Sequence, residues 1–177
     1  MEKQIIDLRG IEIKGRVLDI GGGGEGIVAR HIGERVVAID HLLCELEETQ
    51  DIGIKIVMDA GDMSFVDNLF DNATCFYSIM YMSDETLGKV FNECYRVLKN
   101  DGYLWIWDTV IPESYDEEVF IVQMQAKLDH EEVSAGFGIG WNRGQSLESV
   151  LKLLNDAGFK HVQSESDGEK IYIKVQK

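Results

Sequence analysis

The chain has 177 residues, 45% of them hydrophobic and 28% charged, which fits a single soluble globular domain spanning residues 1–177. Its 32 acids against 17 bases leave a formal charge of −15, a field that repels phosphate backbones and anionic membrane surfaces, so no nucleic-acid or membrane partner is expected. The longest apolar run, Cys75 to Met82, is too short to cross a bilayer, and Met1-Glu2-Lys3-Gln4 opens no signal peptide, so the expected location is cytoplasmic.

Short apolar runs alternate with helical patterns along the chain. Arg16–Ile20, Arg35–Ile39, Ile54–Met58, Thr74–Ile79 and Tyr103–Trp107 read as buried strands, the near-continuous hydrophobicity that a parallel sheet covered on both faces requires. Thr86–Lys99 places Leu87, Val90, Phe91, Cys94 and Leu98 on one helical stripe, with Ser83 as the candidate N-cap and Asn100-Asp101-Gly102 as the stop. Val119–Leu128 alternates strictly and pairs in expectation with Glu132–Ile139, a hairpin turning at Asp129-His130-Glu131. Leu147–Ala157 is a second amphipathic helix between Ser146 and Gly158. At the C-terminus His161–Ser166 and Lys170–Val175 flank Asp167-Gly168, and so tight a turn makes the last strand antiparallel to its neighbour. Cys44, Cys75 and Cys94 form no CxxC pair and read as small core hydrophobes in a reducing compartment. The four histidines are too scattered to suggest a metal site.

Chemistry concentrates where a strand runs into glycines: Val17-Leu18-Asp19-Ile20-Gly21-Gly22-Gly23-Gly24-Glu25-Gly26. Glycines let a ligand lie against bare backbone, and the helix that follows presents free N–H groups. The spacing Gly21-x-Gly23-x-x-Gly26, with Asp40 19 residues beyond Gly21, also satisfies a dinucleotide fingerprint. Asp19 argues against it, because a carboxylate at the strand end repels a pyrophosphate and attracts an ammonium group. The terminal hairpin also argues against a sheet that is parallel throughout.

From about Val17 to Trp107 the chain resembles class I S-adenosylmethionine-dependent methyltransferases of the small, single-domain, type 11 kind. Asp19-Ile20-Gly21-Gly22-Gly23 resembles the acidic-x-Gly-x-Gly-x-Gly loop of that family, with Glu25 standing where its third glycine is expected. Asp40 closes Val36-Val37-Ala38-Ile39-Asp40, and the resemblance makes it the acceptor of both ribose hydroxyls. Chemically it also suits an N-cap for a helix over His41–Glu48, and one residue can do both. Val57-Met58-Asp59-Ala60 resembles the family's Asp-Ala step, in which the aspartate accepts from the adenine amino group and the next N–H meets a ring nitrogen. Asp59 also reads as a loop-turn aspartate, with Asp62 as the alternative reader. Phe65…Asp67-Asn68-Leu69-Phe70-Asp71 resembles the approach to the fourth strand, with Ser64 in place of the usual proline. Ser78-Ile79-Met80-Tyr81 falls where the family faces donor sulfur and acceptor. Tyr81 takes a place often held by histidine, and at a pKa near 10 it is a poor base. Arg96-Val97-Leu98-Lys99-Asn100-Asp101-Gly102 resembles the family's structural Arg-Val-Leu-Lys-Pro-Gly-Gly signature.

The resemblance implies a three-layer αβα Rossmann-like sandwich with a mixed seven-stranded sheet, its last strand antiparallel, plus a β-hairpin insertion near 113–140. It implies S-adenosylmethionine as cofactor, held by Asp19, Gly21, Gly22, Gly23, Asp40, Asp59, Ala60 and Ser78. The methyl group would pass to a small-molecule acceptor, with Tyr81, Ser78 and Trp141 as candidate acceptor-site residues and no metal. The alternatives are a nicotinamide-dependent oxidoreductase and a non-catalytic S-adenosylmethionine-binding module. Only 16 residues precede Val17, too few for a helical lid. The segment from Val119 to Trp141 is therefore the candidate cover, with Phe137 and Trp141 stacking over an acceptor. Otherwise Phe120, Val122, Met124 and Leu128 cover a sheet edge or a dimer interface.

Overall fold

The computed structural model describes residues 3–114, 118–140 and 144–177. The glycine loop separates strand β2 (Val17–Ile20) from helix α1 (Ile27–Ile32), and the chain then continues through β3 (Val36–Asp40), α2 (Leu43–Glu48) and β4 (Ile54–Val57). It crosses back to β5 (Phe70–Phe76), turns through a 3-10 segment at Ile79–Tyr81, and enters α3 (Asp84–Val97) and β6 (Leu98–Thr109). After a hairpin, α4 (Leu147–Asp156), β9 (Lys160–Ser166) and β10 (Lys170–Gln176) complete the large sheet. Its order is β4-β3-β2-β5-β6-β10-β9, with β10 antiparallel to both neighbours and the other pairs parallel. The seven-stranded sheet with its antiparallel β10 is the expected one. Strand order reverses at β2, which lies between β3 and β5, and that reversal opens a crevice beyond the strand ends.

The helices on the first face form as the sequence predicts. Ser83 caps α3 by accepting from the Thr86 N–H, and Ser146 and Ser149 form a reciprocal capping box on α4. Leu87, Val90, Phe91 and Cys94 from α3 and Val150 and Leu154 from α4 pack on Leu18, Ile20, Cys75, Leu104 and Ile106 of the sheet. The opposite face is covered by α1, α2 and a second, smaller sheet. That sheet comprises β1 (Gln4–Asp7), β7 (Phe120–Lys127) and β8 (Glu132–Ile139), with β1 parallel to β7 and β7 antiparallel to β8. The alternation in β7 buries Phe120, Val122, Met124 and Ala126 in one cluster with Phe76, Trp105 and Trp107.

Several expectations are corrected. The first strand is β1, not the strand at Val17, and it turns the expected hairpin into a three-stranded sheet. Periodicity hides β1 because four residues with a buried glutamine, Gln4-Ile5-Ile6-Asp7, carry a weak alternating signal. The fourth predicted strand ends early, at Phe76, because Tyr77 takes a left-handed φ of 49° and Ser78 starts a turn. Helix α3 stops at Val97 rather than Lys99, and β6 begins at once with its own left-handed residue, Asp101, at φ 64°. Cys44 is exposed, unlike Cys75 and Cys94, because of the six residues of α2 only Leu46 is buried. Among the described residues no helix is long and apolar enough to cross a membrane, and no three metal-ligating side chains cluster.

Candidate functional site

A cavity of about 840 Å³ lies in the crevice at the C-terminal ends of β2, β3 and β5. Its floor is the glycine loop. Gly21 has φ +67°, and its N–H and that of Gly22 donate to the Ile39 carbonyl at 2.9 and 3.1 Å, which clamps the loop to β3. A Cβ on Gly21 would sit 2.6 Å from Ser78 Cβ, one on Gly22 2.7 Å from Asp19 Oδ2, and one on Gly23 2.5 Å from Glu45 Cβ. The chain's own packing therefore already demands glycine at these positions. What points to a ligand is the set of polar atoms around the loop.

Three carboxylates stand at or just beyond the ends of neighbouring strands, and each has one oxygen engaged by the chain itself. Asp19 Oδ1 accepts from Thr74 Oγ1 at 2.7 Å, Asp40 Oδ1 from the Leu42 N–H at 3.0 Å, and Asp59 Oδ1 from the Gly61 N–H at 2.7 Å. Oδ2 of all three accepts no hydrogen bond among the described residues. Asp40 is thus not the cap of α2, which starts at Leu43 with Leu42 in the cap position. Its carboxylate turns the chain two residues ahead of the helix. Asp59 and Ala60 line the cavity, whereas Asp62 does not. Ser78 Oγ is buried at the cavity wall with no hydrogen-bond partner, its polar neighbour being the Cys75 thiol.

The lining is strongly acidic. Asp19, Glu25, Asp40, Glu45 and Asp59 face the cavity, and no described lysine or arginine does. Burial pushes the Asp19 carboxyl up to about 7, opposed by the Thr74 hydrogen bond and reinforced by the charge of Asp40. Burial and then the nearby Asp40, Glu48 and Glu25 also raise Glu45. An S-adenosylmethionine molecule suits this wall: its ammonium, ribose hydroxyls and adenine amino group are donors that match three free carboxylate oxygens, and its net positive charge meets no cation.

The far wall is aromatic, with Phe76, Tyr77, Tyr81 and Phe137. Tyr81 is 48% exposed, and burial of the rest of the ring beside Asp108 pushes its phenol up to about 12. Tyr77 stacks on Phe137 with ring centres 5.2 Å apart, and its hydroxyl donates to Gln4 Oε1. Gln4 Nε2 in turn donates to Thr109 Oγ1 at 3.0 Å and to the Glu169 carbonyl at 2.9 Å. The turn carrying Ser78 is held by Asp108, whose Oδ2 accepts from the Ile79 N–H at 3.1 Å. Trp141, the third expected acceptor-site residue, lies outside the described residues. Sequence reasoning brought Asp19, Gly21, Gly22, Gly23, Asp40, Asp59, Ala60, Ser78, Tyr81 and Phe137 to one cavity, and all of them line it. It missed Tyr77, Gln4 and Asp108. Only the polar Gln4 in an apolar-alternating stretch could have signalled any of them.

Comparison with known proteins agrees with this geometry. A family model described as a methyltransferase domain matches residues 18–106. The chain is 27% identical over 164 residues to a sterol 24-C-methyltransferase of Yarrowia lipolytica, covering 85% of this chain and 40% of that protein. It is 32% identical over 114 residues to a phosphoethanolamine N-methyltransferase of Plasmodium falciparum, covering 58% of this chain and 43% of that one. The chain therefore spans less than half the length of these curated relatives. Among solved structures, an S-adenosylmethionine-dependent methyltransferase from Mesorhizobium loti superposes with a TM-score of 0.67 at 14% identity, covering 94% of this chain and 93% of the other. The PH0226 protein of Pyrococcus horikoshii superposes with a TM-score of 0.67 at 20% identity, covering 94% and 84%. At these identities the structures establish the shared fold. The family match runs from β2 to β6 and takes in every strand end that frames the cavity, so the chain belongs to the methyltransferase-domain family of class I S-adenosylmethionine-dependent proteins.

Proposed function

We propose that this chain binds S-adenosylmethionine over the glycine loop and directs its methyl group to a small organic acceptor beside Tyr77, Tyr81 and Phe137. The observation that carries the reading is the set of three strand-end aspartates, each with one oxygen fixed by the chain and the other free, in a lining without lysine or arginine. Asp19 takes the donor's ammonium group, Asp40 its ribose hydroxyls, and Asp59 with the Ala60 N–H its adenine edge. Ser78 Oγ supplies the polar contact nearest the acceptor side. Bound S-adenosylmethionine supplies a methyl group already activated on a sulfonium. The chain's share of the work is to align donor and acceptor and to keep water out. Tyr81, with its phenol at about 12, keeps its proton at neutral pH and serves as a hydrogen-bond donor or a ring surface rather than a base. The five carboxylates in the lining disfavour a pyrophosphate, and with it the nicotinamide reading. The named acceptors of the relatives, a sterol and phosphoethanolamine, support a small molecule as the substrate class here.

The test has two stages. S-adenosylhomocysteine should raise the melting temperature while NADH leaves it unchanged. Incubation with methyl-labelled donor and pooled small-molecule acceptors, read by mass spectrometry, should then yield a labelled product. Stabilisation by NADH with no response to S-adenosylhomocysteine would overturn the reading.

A further inference from the structure

A second cavity, of about 620 Å³, opens between β1 and the β10 end of the large sheet, on the face opposite α3 and α4. Two rows of side chains cross its floor. In the strand register Trp105 opposes Lys174, which opposes Gln163; in the next row on the same face Trp107 opposes Tyr172, which opposes Glu165. In the first row the chain seats its own cation: Lys174 Nζ lies 3.9 Å from the Trp105 ring centre and 4.4 Å from that of Tyr103.

The second row has the rings without the cation. Trp107 and Tyr172 lie with centres 5.5 Å apart, and among the described residues no ammonium or guanidinium sits over either. Glu165 replaces the neutral Gln163 of the first row. It accepts a 2.9 Å hydrogen bond from the Gln163 amide and has no ion pair among the described residues. The other carboxylates of the rim each have a basic partner, Asp7 in Arg9, Glu12 in Lys14 and Asp167 in Lys170. The charge of Glu165 also reaches the Tyr172 ring, whose phenol is raised first by burial and then by this carboxylate.

We propose that this groove is a second binding site, separate from the donor cavity, for a small organic cation whose ammonium group rests on the half-buried Tyr172 ring against Glu165, with the buried Trp107 backing that ring. The ligand would complete the second row as Lys174 completes the first.

The probe is (2-hydroxyethyl)trimethylammonium, compared with 3,3-dimethyl-1-butanol, its uncharged carbon isostere, in ligand-observed NMR titrations of the full chain with and without S-adenosylhomocysteine. The cation should bind saturably, at least about fivefold tighter than the isostere, and equally well with or without the nucleoside. Glu165→Gln, an exposed substitution, should weaken it about two- to fivefold. Glu165→Lys should abolish binding by supplying the site's own cation. Equal binding of the isostere, indifference to both Glu165 variants, absence of saturable binding, or displacement by S-adenosylhomocysteine would each overturn the proposal. The last result would place the cation in the acidic donor cavity instead. Binding that withstands these controls stands even if the methyl-transfer reading fails.

Discussion

The two walls of the donor cavity are built in opposite ways. On the acidic wall two of the three carboxylates are positioned locally, Asp40 and Asp59 by N–H groups two residues on, while Asp19 is held by Thr74 on the adjoining strand, 55 positions away. On the aromatic wall Tyr77 is held by Gln4, 73 positions away, and Gln4 by Thr109, 105 positions away. Phe137 arrives from a separate sheet. A locally specified wall suits a ligand that never varies, while a wall assembled from distant segments can change with any one of them.

If that division is right, substitutions on the two walls should separate cleanly in their effects. The largest effect falls on the acidic wall. Asp40→Ala removes a charge-assisted acceptor and should lose about 1.5–3 kcal/mol of S-adenosylhomocysteine affinity by calorimetry, on the order of 10–150-fold. An unchanged affinity with a stability loss of about 1 kcal/mol would reduce Asp40 to the turn it makes before α2. Gln4→Leu, by contrast, should leave that affinity within about twofold. It strands the buried Tyr77 hydroxyl, while Thr109 keeps its bonds to the Val110 and Glu169 carbonyls, so chemical denaturation should show a loss of about 1–3 kcal/mol. A large fall in donor affinity in this variant would mean the walls are coupled and the contrast is wrong.

This contrast also governs what the sequence could reveal. Asp19, Asp40, Asp59 and Ser78 could be located because each lies at or just beyond the end of a recognisable strand, and strand ends in a parallel sheet converge on one crevice. The antiparallel β10 was legible from the Asp167-Gly168 turn, and the caps of α3 and α4 from Ser83 and Ser146. Tyr77 was not, because its partners Phe137 and Gln4 are distant in sequence and a tyrosine carries no signal for the left-handed backbone it adopts. The role of β1 was hidden for the same reason: a four-residue edge strand is defined by the partner it finds, Met124 to Lys127 on β7, more than by its own pattern.

Protonation provides a third test, confined to the acidic wall. Asp19 titrates near 7 in the free protein, and it attracts an ammonium group only when ionised. S-adenosylhomocysteine affinity should therefore fall about tenfold from pH 8 to pH 6, and Asp19→Asn should flatten that slope. Stability of the free chain runs the other way. The folded state holds Asp19 and Asp108 protonated above their ordinary 3.8, up to about 7, so their ionisation removes stability as pH rises through that window. Affinity and stability that rise together with pH would refute the assignment of Asp19.

The sharpest test of the aromatic wall, again with little expected effect on donor binding, is Phe137→Ala. The buried face of β7, with Phe120, Val122 and Met124, packs on Phe76, Trp105 and Trp107 and belongs to the core. Phe137 on β8 is different: it stacks on Tyr77 and also lines the cavity. Removing its ring opens space beside Tyr77 and touches none of the three aspartates. Affinity for S-adenosylhomocysteine should stay within about threefold, under 1 kcal/mol. The loss should appear in acceptor turnover, since an acceptor placed against Ser78 and Tyr81 would have Phe137 and Tyr77 as its enclosing surface and shield from water. Phe137→Leu, which restores apolar volume without a ring, separates the two contributions. Recovery by leucine assigns Phe137 to water exclusion, and failure to recover assigns it to ring stacking on the acceptor. Turnover unchanged in both variants would leave the small sheet as a cover for the large one, with acceptor selection resting on Tyr81 and the Ser78 turn.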